Sequence, residues 1–181
     1  MKQGQEAMMV ERLLNAQTRE ETFNLLVLRE SGRIYNMVRK MVLNHDDADD
    51  IVQNTFMKAW MALDTFRGDS KLTTWLHRIA INECLSFLSK QHPADSLDDA
   101  ASEVALQLEG DPYFDGDETE LQLQQAIASL PDKQRVVFNL KYFEEMKYED
   151  MSNLLGTSVG ALKTSYHLAV KKIQDFFTAL D

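Results

Sequence analysis

The sequence predicts an all-α protein of two small helical domains, residues 1–92 and 119–181, joined by an acidic flexible linker at 93–118. Three observations carry that prediction. Apolar residues recur at spacings of three and four through both flanking stretches, the mark of amphipathic helices. The 181 residues include only seven Gly and three Pro, few for a turn-rich all-β fold. The net charge of −10 is unevenly placed: residues 1–92 carry 12 basic and 12 acidic side chains, residues 119–181 carry 7 and 8, and residues 93–118 carry none and 9. A one-sign segment that also holds two Pro and two Gly reads as an extended linker.

Composition bounds the function. A single cysteine, Cys84, excludes an internal disulfide and any multi-cysteine zinc site, and reads as a small buried residue. No apolar run approaches the ~20 residues of a membrane span. The opening MKQGQEAMMV has no apolar core of a signal peptide, so a cytoplasmic location is the default expectation. The negative total argues against autonomous binding to free DNA, which requires phosphate neutralisation. No nucleophile–base pair, phosphate loop or metal-ligand cluster is evident, so neither an enzyme nor a cofactor is expected.

Taken in order, residues 1–18 read as a helical lead-in. Arg19–Val42 follows a helical pattern through Phe23, Leu26, Val27, Ile34, Met37, Val38 and Met41, with a break or bend expected near Ser31-Gly32. Asn44-His45-Asp46-Asp47 breaks and recaps the chain. His45 among aspartates suggests a metal ligand, but its spacing fits no ligand template and a capping turn is the better account.

Asp47–Trp60, DADDIVQNTFMKAW, reads as an amphipathic helix with Val52, Phe56, Ala59 and Leu63 on its apolar stripe. Asp46, Asp47, Asp49 and Asp50 crowd its start, where the helix dipole favours negative charge. Gln53, Asn54, Met57 and Met61 lie off the stripe and are expected to be exposed. Carboxylates, amides and methionines on one open face suit a protein partner; the pattern is equally that of a solvated start to a core helix.

Gly68-Asp69-Ser70 is a turn, and the helix after it sends Leu72, Leu76, Ile79, Ala80, Cys84, Phe87 and Leu88 to a core. Lys71, Trp75, Arg78 and Asn82 form a second stripe. Two cations, an indole and an amide equip a helix to bind unpaired nucleic acid; alternatively Trp75 is a packing residue and Arg78 a surface charge.

Residues 119–181 read as four helices. Leu121–Ser129 is the first, and Leu130-Pro131 opens the second, with Pro at the first helical position. Tyr148–Leu155 is the third, stopped by Gly156, and Thr157-Ser158 caps a fourth that runs to about Phe177. The last two make a helix-turn-helix. Val159, Leu162, Tyr166, Ala169, Ile173 and Phe176 face inward; Ala161, Lys163, Thr164, His167, Leu168, Lys171 and Lys172 face outward.

In family order, these stretches resemble bacterial RNA polymerase sigma factors of the sigma-70 family, in the extracytoplasmic-function group. DADDIVQNTFMKAW is similar to the family pattern DAEDLVQETFLRAW. Phe66, Arg67, Gly68, Ser70, Thr74, Trp75, Leu76, Arg78, Ile79, Ala80 and Asn82 match FRGxSxFxTWLxRIAxN, with Leu72 in place of a usual aromatic. Tyr148, Leu155, Gly156, Ser158, Gly160, Lys163, Ala169, Lys171 and Lys172 match YxEIAxxLGxSxGTVKSRLxRAxKKL. Upstream, Leu130, Pro131, Arg135, Phe138, Leu140 and Tyr142 match as well.

The resemblance implies a dissociable sigma subunit that directs core polymerase to promoters and helps melt them. Asp47, Asp49, Asp50, Gln53, Asn54 and Met57 would dock on the beta-prime coiled coil of core RNA polymerase, which also presents its beta subunit. Phe66, Arg67, Lys71, Trp75, Arg78 and Asn82 would read and melt the minus-ten element, trapping a flipped base at a cost of about a few kcal/mol. Ser158, Lys163, Thr164, His167 and Lys171 would read the minus-thirty-five element of promoter DNA. An anti-sigma factor is a common further partner in the family. The acidic linker is either a solubilising spacer or, as in the family, a strand for the RNA exit path.

One departure bears on recognition. Ser165, Leu168 and Val170 stand where the family commonly has arginines, the residues that most often read guanine. The helix is thus expected to lean on Lys163, Thr164, His167, phosphate contacts and apolar contact with thymine methyls. Two other classes remain: a free-standing helix-turn-helix regulator, which needs a net basic DNA domain, and an acidic protein-binding adaptor, which leaves the Lys71–Trp75–Arg78–Asn82 stripe unused.

Overall fold

The computed structural model describes residues 3–91 and 118–180, and every α-helix reported below lies within them. The expected linker at 93–118 therefore lies outside the described residues, except that Glu118 opens a helix. Two compact units divide the chain, Met1–Phe87 and Leu88–Asp181.

The first unit holds α1 (Gln3–Leu14), α2 (Arg19–Val42), α3 (His45–Ala62), a short 3-10 turn (Leu63–Thr65) and most of α4 (Leu72–Gln91). Helix α2 packs on α1 and on α3. Its buried residues, among them Phe23, Leu26, Ile34, Met37, Val38 and Met41, follow the helical period predicted for them. No break occurs at Ser31-Gly32: the helix is continuous through both. A glycine inside a helix costs only about 1 kcal/mol relative to alanine. Burial of Leu26 before it and of Ile34, Met37 and Val38 after it exceeds that cost.

The corner between α2 and α3 is two residues long. Leu43 adopts the left-handed conformation at φ 66° and closes α2 by donating its N–H to the Arg39 carbonyl at 2.9 Å. That conformation is costly for a residue with a Cβ, and burial of the Leu43 side chain offsets it. Asn44 then caps α3, its side chain accepting the Asp47 N–H at 3.1 Å. On α3 the buried residues are Ala48, Ile51, Thr55, Phe56 and Ala59, with Leu63 just beyond. The predicted stripe is thus rotated slightly: Ile51 takes the core position and Val52 is only half-buried. The same substitution of neighbours occurs on α4, where Ile81 is fully buried and Ile79 and Phe87 are half-buried.

The second unit contains α5 (Glu118–Ala128), α6 (Asp132–Tyr142), α7 (Tyr148–Leu155) and α8 (Val159–Thr178). Pro131 is the cap residue before α6, one position earlier than predicted. Ala126, Ile127, Leu130, Phe138, Ala169 and Ile173 form one core cluster, flanked by Tyr166, Val170, Phe176 and Phe177. Arg135 is buried beneath it, donating to the Leu130 carbonyl at 3.0 Å and paired with Asp132. Burial lowers the pKa of its guanidinium, and Asp132 opposes that shift. Gly156 ends α7 at φ 62°, a left-handed turn that glycine adopts without strain. Ser158 caps α8 by accepting the Ala161 N–H at 3.3 Å. The predicted helix–glycine turn–helix is therefore present, with α8 as its second helix.

Candidate functional site: protein and nucleic-acid interfaces

Three surfaces carry the side chains singled out above. The first is the outer face of α3. Asp49, Asp50, Gln53, Asn54 and Met57 are exposed, as is Met61. Asp47 is half-buried, and its carboxyl pKa is raised, first by burial and then by the neighbouring charges of Asp50 and Asp46. The opposite side of the helix buries Ala48, Ile51, Thr55, Phe56 and Ala59, while Trp60, seven positions beyond Gln53, is exposed at the end of the outer face. Phe23 meets both Phe56 and Trp60 edge-on, with ring centroids 6.3 and 5.0 Å apart. Lys58 pairs with Glu83 of α4. His45, the first residue of α3, sits between the Tyr35 hydroxyl, 2.6 Å from its Nδ1, and Asp49, 3.5 Å from its Nε2. Those two partners give it a place in the α2–α3 corner.

The second surface runs from the loop after the 3-10 turn along α4. Arg67, Lys71, Arg78 and Asn82 are exposed, and Trp75 is half-buried. Phe66 is the exception among the predicted contact residues. It is 9% exposed and lies under Trp75, with ring centroids 5.2 Å apart. Phe66 thus supports the indole, leaving Trp75 as the ring available from outside. The loop turns at Gly68, whose φ of 76° suits glycine. A contact that short-range sequence patterns do not reveal ends the loop: the Glu6 carboxylate of α1 accepts the N–H of Leu72 at 2.7 Å.

The third surface is the outer face of α8. Lys163, Thr164, His167, Leu168, Lys171 and Lys172 are all exposed, and Ser158 is exposed at its cap. Tyr166 stacks on Phe138 at 5.9 Å between centroids, which makes it a packing residue as predicted. Lys163 Nζ lies 5.7 Å from the Tyr148 ring centre, and Lys141 Nζ lies 4.9 Å from the same ring. Tyr148, the first residue of α7 and a match to the family pattern, thus meets side chains of both α6 and α8. Burial raises its phenol pKa, with a further rise from Tyr166. The Thr164 hydroxyl donates to the Gly160 carbonyl at 3.1 Å.

These surfaces have separate chemistries. The α3 face offers carboxylates, amides and thioethers on a packed helix, which suits a protein partner. The α4 face offers cations beside an indole, which suits unpaired bases. The α8 face offers lysines, short polar side chains and one leucine on the second helix of a helix-turn-helix, which suits a major groove. Cys84 is fully buried, and burial pushes its thiol up to about 12, so it is inert as a nucleophile at neutral pH. Among the described residues, no helix is long and apolar enough to cross a membrane.

Two family models and several relatives match the chain. Sigma-70 region 2 matches residues 26–94, and Sigma-70, region 4 matches residues 120–173. The chain is 34% identical over 174 residues to the RNA polymerase sigma-H factor of Pseudomonas aeruginosa, covering 90% of this chain and 88% of that protein. It is 32% identical over 158 residues to the ECF RNA polymerase sigma factor SigW of Bacillus subtilis, covering 82% and 84%. Two solved structures share its fold. The sigma factor RpoE of Bartonella quintana, in complex with the anti-sigma factor NepR, has a TM-score of 0.63 at 24% identity, covering 86% of this chain and 96% of that one. CnrH, in complex with the cytosolic domain of CnrY, has a TM-score of 0.65 at 22% identity, covering 96% and 97%.

Proposed function

The chain belongs to the extracytoplasmic-function group of the sigma-70 family, and from that premise we propose how its surfaces divide the work of the subunit. As a sigma factor it joins core RNA polymerase and directs transcription initiation at promoters. It acts as a regulatory subunit, and the chemistry of RNA synthesis stays with the core enzyme.

In our reading, residues 1–92 form the core-binding and minus-ten domain, 93–118 the linker, and 119–181 the minus-thirty-five domain. Asp47, Asp49, Asp50, Gln53, Asn54 and Met57 on α3 dock on the beta-prime coiled coil. Arg67, Lys71, Trp75, Arg78 and Asn82 engage the unpaired minus-ten strand, with Phe66 backing the indole. Lys163, Thr164, His167 and Lys171, capped by Ser158, enter the major groove of the minus-thirty-five element. The protein works in the cytoplasm, where the polymerase is. The complex of the similar RpoE of Bartonella quintana with the anti-sigma factor NepR supports an anti-sigma partner here too.

One observation carries this reading. The α3 face that matches the family pattern exposes Asp49, Asp50, Gln53, Asn54 and Met57 on a helix whose other side is buried, so their side chains are accessible to a partner. A promoter-dependent run-off assay with purified core enzyme tests it. Transcripts are expected only when the protein and the core enzyme are both present. DNA binding and repression without polymerase would instead identify a free-standing regulator.

A further inference from the structure

Helix α1 has no part in the surfaces assigned above, yet polar contacts fasten it to both ends of the loop that leads into α4. At one end, Glu6 accepts the Leu72 N–H at 2.7 Å across 66 residues of sequence. Leu72 is the first residue of α4, so its N–H is one of the donors that the helix itself leaves unsatisfied. A carboxylate there also meets the positive end of the helix dipole. The neighbouring residues do not fill that role: Lys71, at the capping position, has no acceptor in its side chain, the Ser70 hydroxyl is turned to the Lys71 carbonyl at 3.5 Å, and it is Glu6 and not the nearby Asp69 that accepts the Leu72 N–H.

At the other end, Arg19 joins α1 to the 3-10 turn. Its guanidinium donates to the Leu13 carbonyl at 3.0 Å and to Asp64 at 2.6 Å. Asp64 precedes the loop and Leu72 follows it. Phe66, Arg67, Gly68, Asp69, Ser70 and Lys71 are thus held between two anchors that both lead back to α1.

We propose that α1 braces this loop and that Glu6 is a positioning residue for single-strand recognition. The proposal rests on the reading of the loop and the α4 stripe as the surface for unpaired DNA. Glu6 itself touches no DNA. It fixes the first turn of α4, and through it the placement of Lys71, Trp75 and the loop that a displaced base would enter. Specificity for the minus-ten strand thereby depends on a side chain in a different helix.

The test uses the full chain with Glu6→Ala and Glu6→Gln, the second of which keeps an acceptor oxygen without the charge. Amide hydrogen exchange across Leu72–Leu76 is followed in the free protein. In parallel, the protein bound to core polymerase selects from fork-junction DNA whose unpaired non-template overhang is randomised. Glu6→Ala is expected to speed exchange in the first turn of α4 by about fivefold, the usual scale of a lost helix cap. It is also expected to flatten the base preferences that the wild type shows, while affinity for core enzyme stays the same. Glu6→Gln is expected to recover most of both effects. Should Glu6→Ala fail to fold by circular dichroism, Glu6→Asp takes its place, since its shorter side chain forfeits the contact but retains the charge.

Unchanged exchange in the variant would overturn the cap. Faster exchange with unchanged base preferences would overturn the positioning role. A wild type that selects no bases at all would remove the single-strand reading itself, and that result is seen before any variant is made.

Discussion

Replacing Asp50 and Gln53 together by alanine separates what α3 does for the fold from what it does for a partner. Both side chains are exposed, and neither belongs to the stripe of Ala48, Ile51, Thr55, Phe56 and Ala59 that holds the helix down. Asp50 lies past the first turn of a helix that begins at His45, beyond the reach of a strong dipole effect. Its main local influence is to raise the pKa of Asp47, so its removal lets that carboxyl return toward its ordinary range. The change in folding stability is therefore expected to stay within about 0.5 kcal/mol. Binding should respond differently. Two interface anchors lost together are worth about 1.4–3 kcal/mol, a weakening of about tenfold or more. Titration of fluorescently labelled protein with core polymerase measures the affinity, and thermal unfolding by circular dichroism measures the stability. An unchanged affinity would falsify the docking assignment. A matching loss in both measurements would mean that the pair holds the helix in place instead of meeting a partner.

Three further outcomes are expected. Asn82→Ala should impair promoter opening while core binding is spared; permanganate footprinting reads unpaired thymines, and normal reactivity in the variant would place the single-strand pocket elsewhere. Leu168→Arg adds a cation to an exposed position of α8, so duplex affinity should rise and the slope of log affinity against log salt should steepen by about 0.9 for one added phosphate contact; an unchanged slope in filter binding counts against that face as the DNA surface. Cys84 is protonated in both folded and unfolded chains below its ordinary 9.0, but between there and about 12 the unfolded chain alone releases the proton. Stability should fall across that alkaline window by up to about 4 kcal/mol, and denaturant titrations of Cys84→Ala should show a shallower fall than the wild type.

What the sequence made legible was mostly periodic. Helix α2, the α3 face and the outward residues of α8 follow from the spacing of apolar side chains, because a helix buries one stripe and repeats it. The errors share a cause. Ile51 and Val52 are adjacent and both apolar, as are Ile79, Ala80 and Ile81, so the period alone does not say which neighbour turns inward. At Ser31-Gly32 a local breaker was outweighed by packing on both sides, a comparison that requires knowing the partners. Phe66 and Trp75 both matched one pattern, yet only packing shows which ring lies beneath the other. Glu6 was illegible for a different reason: its partner is a backbone N–H that any residue could present, 66 positions away.

The hydrogen bond from Thr164 to the Gly160 carbonyl has a consequence for the promoter alphabet. Its hydroxyl proton is already committed, so if α8 enters the groove as proposed, Thr164 would present lone pairs and a methyl group there. It can receive a hydrogen bond from the exocyclic amines of adenine or cytosine, and its methyl can rest against that of thymine. Guanine offers only acceptors at its major-groove edge and gains nothing from this side chain. On a helix whose position 168 is leucine instead of arginine, that would leave two positions one turn apart with no donor for guanine itself, while adenine, cytosine and the thymine methyl each keep a possible contact.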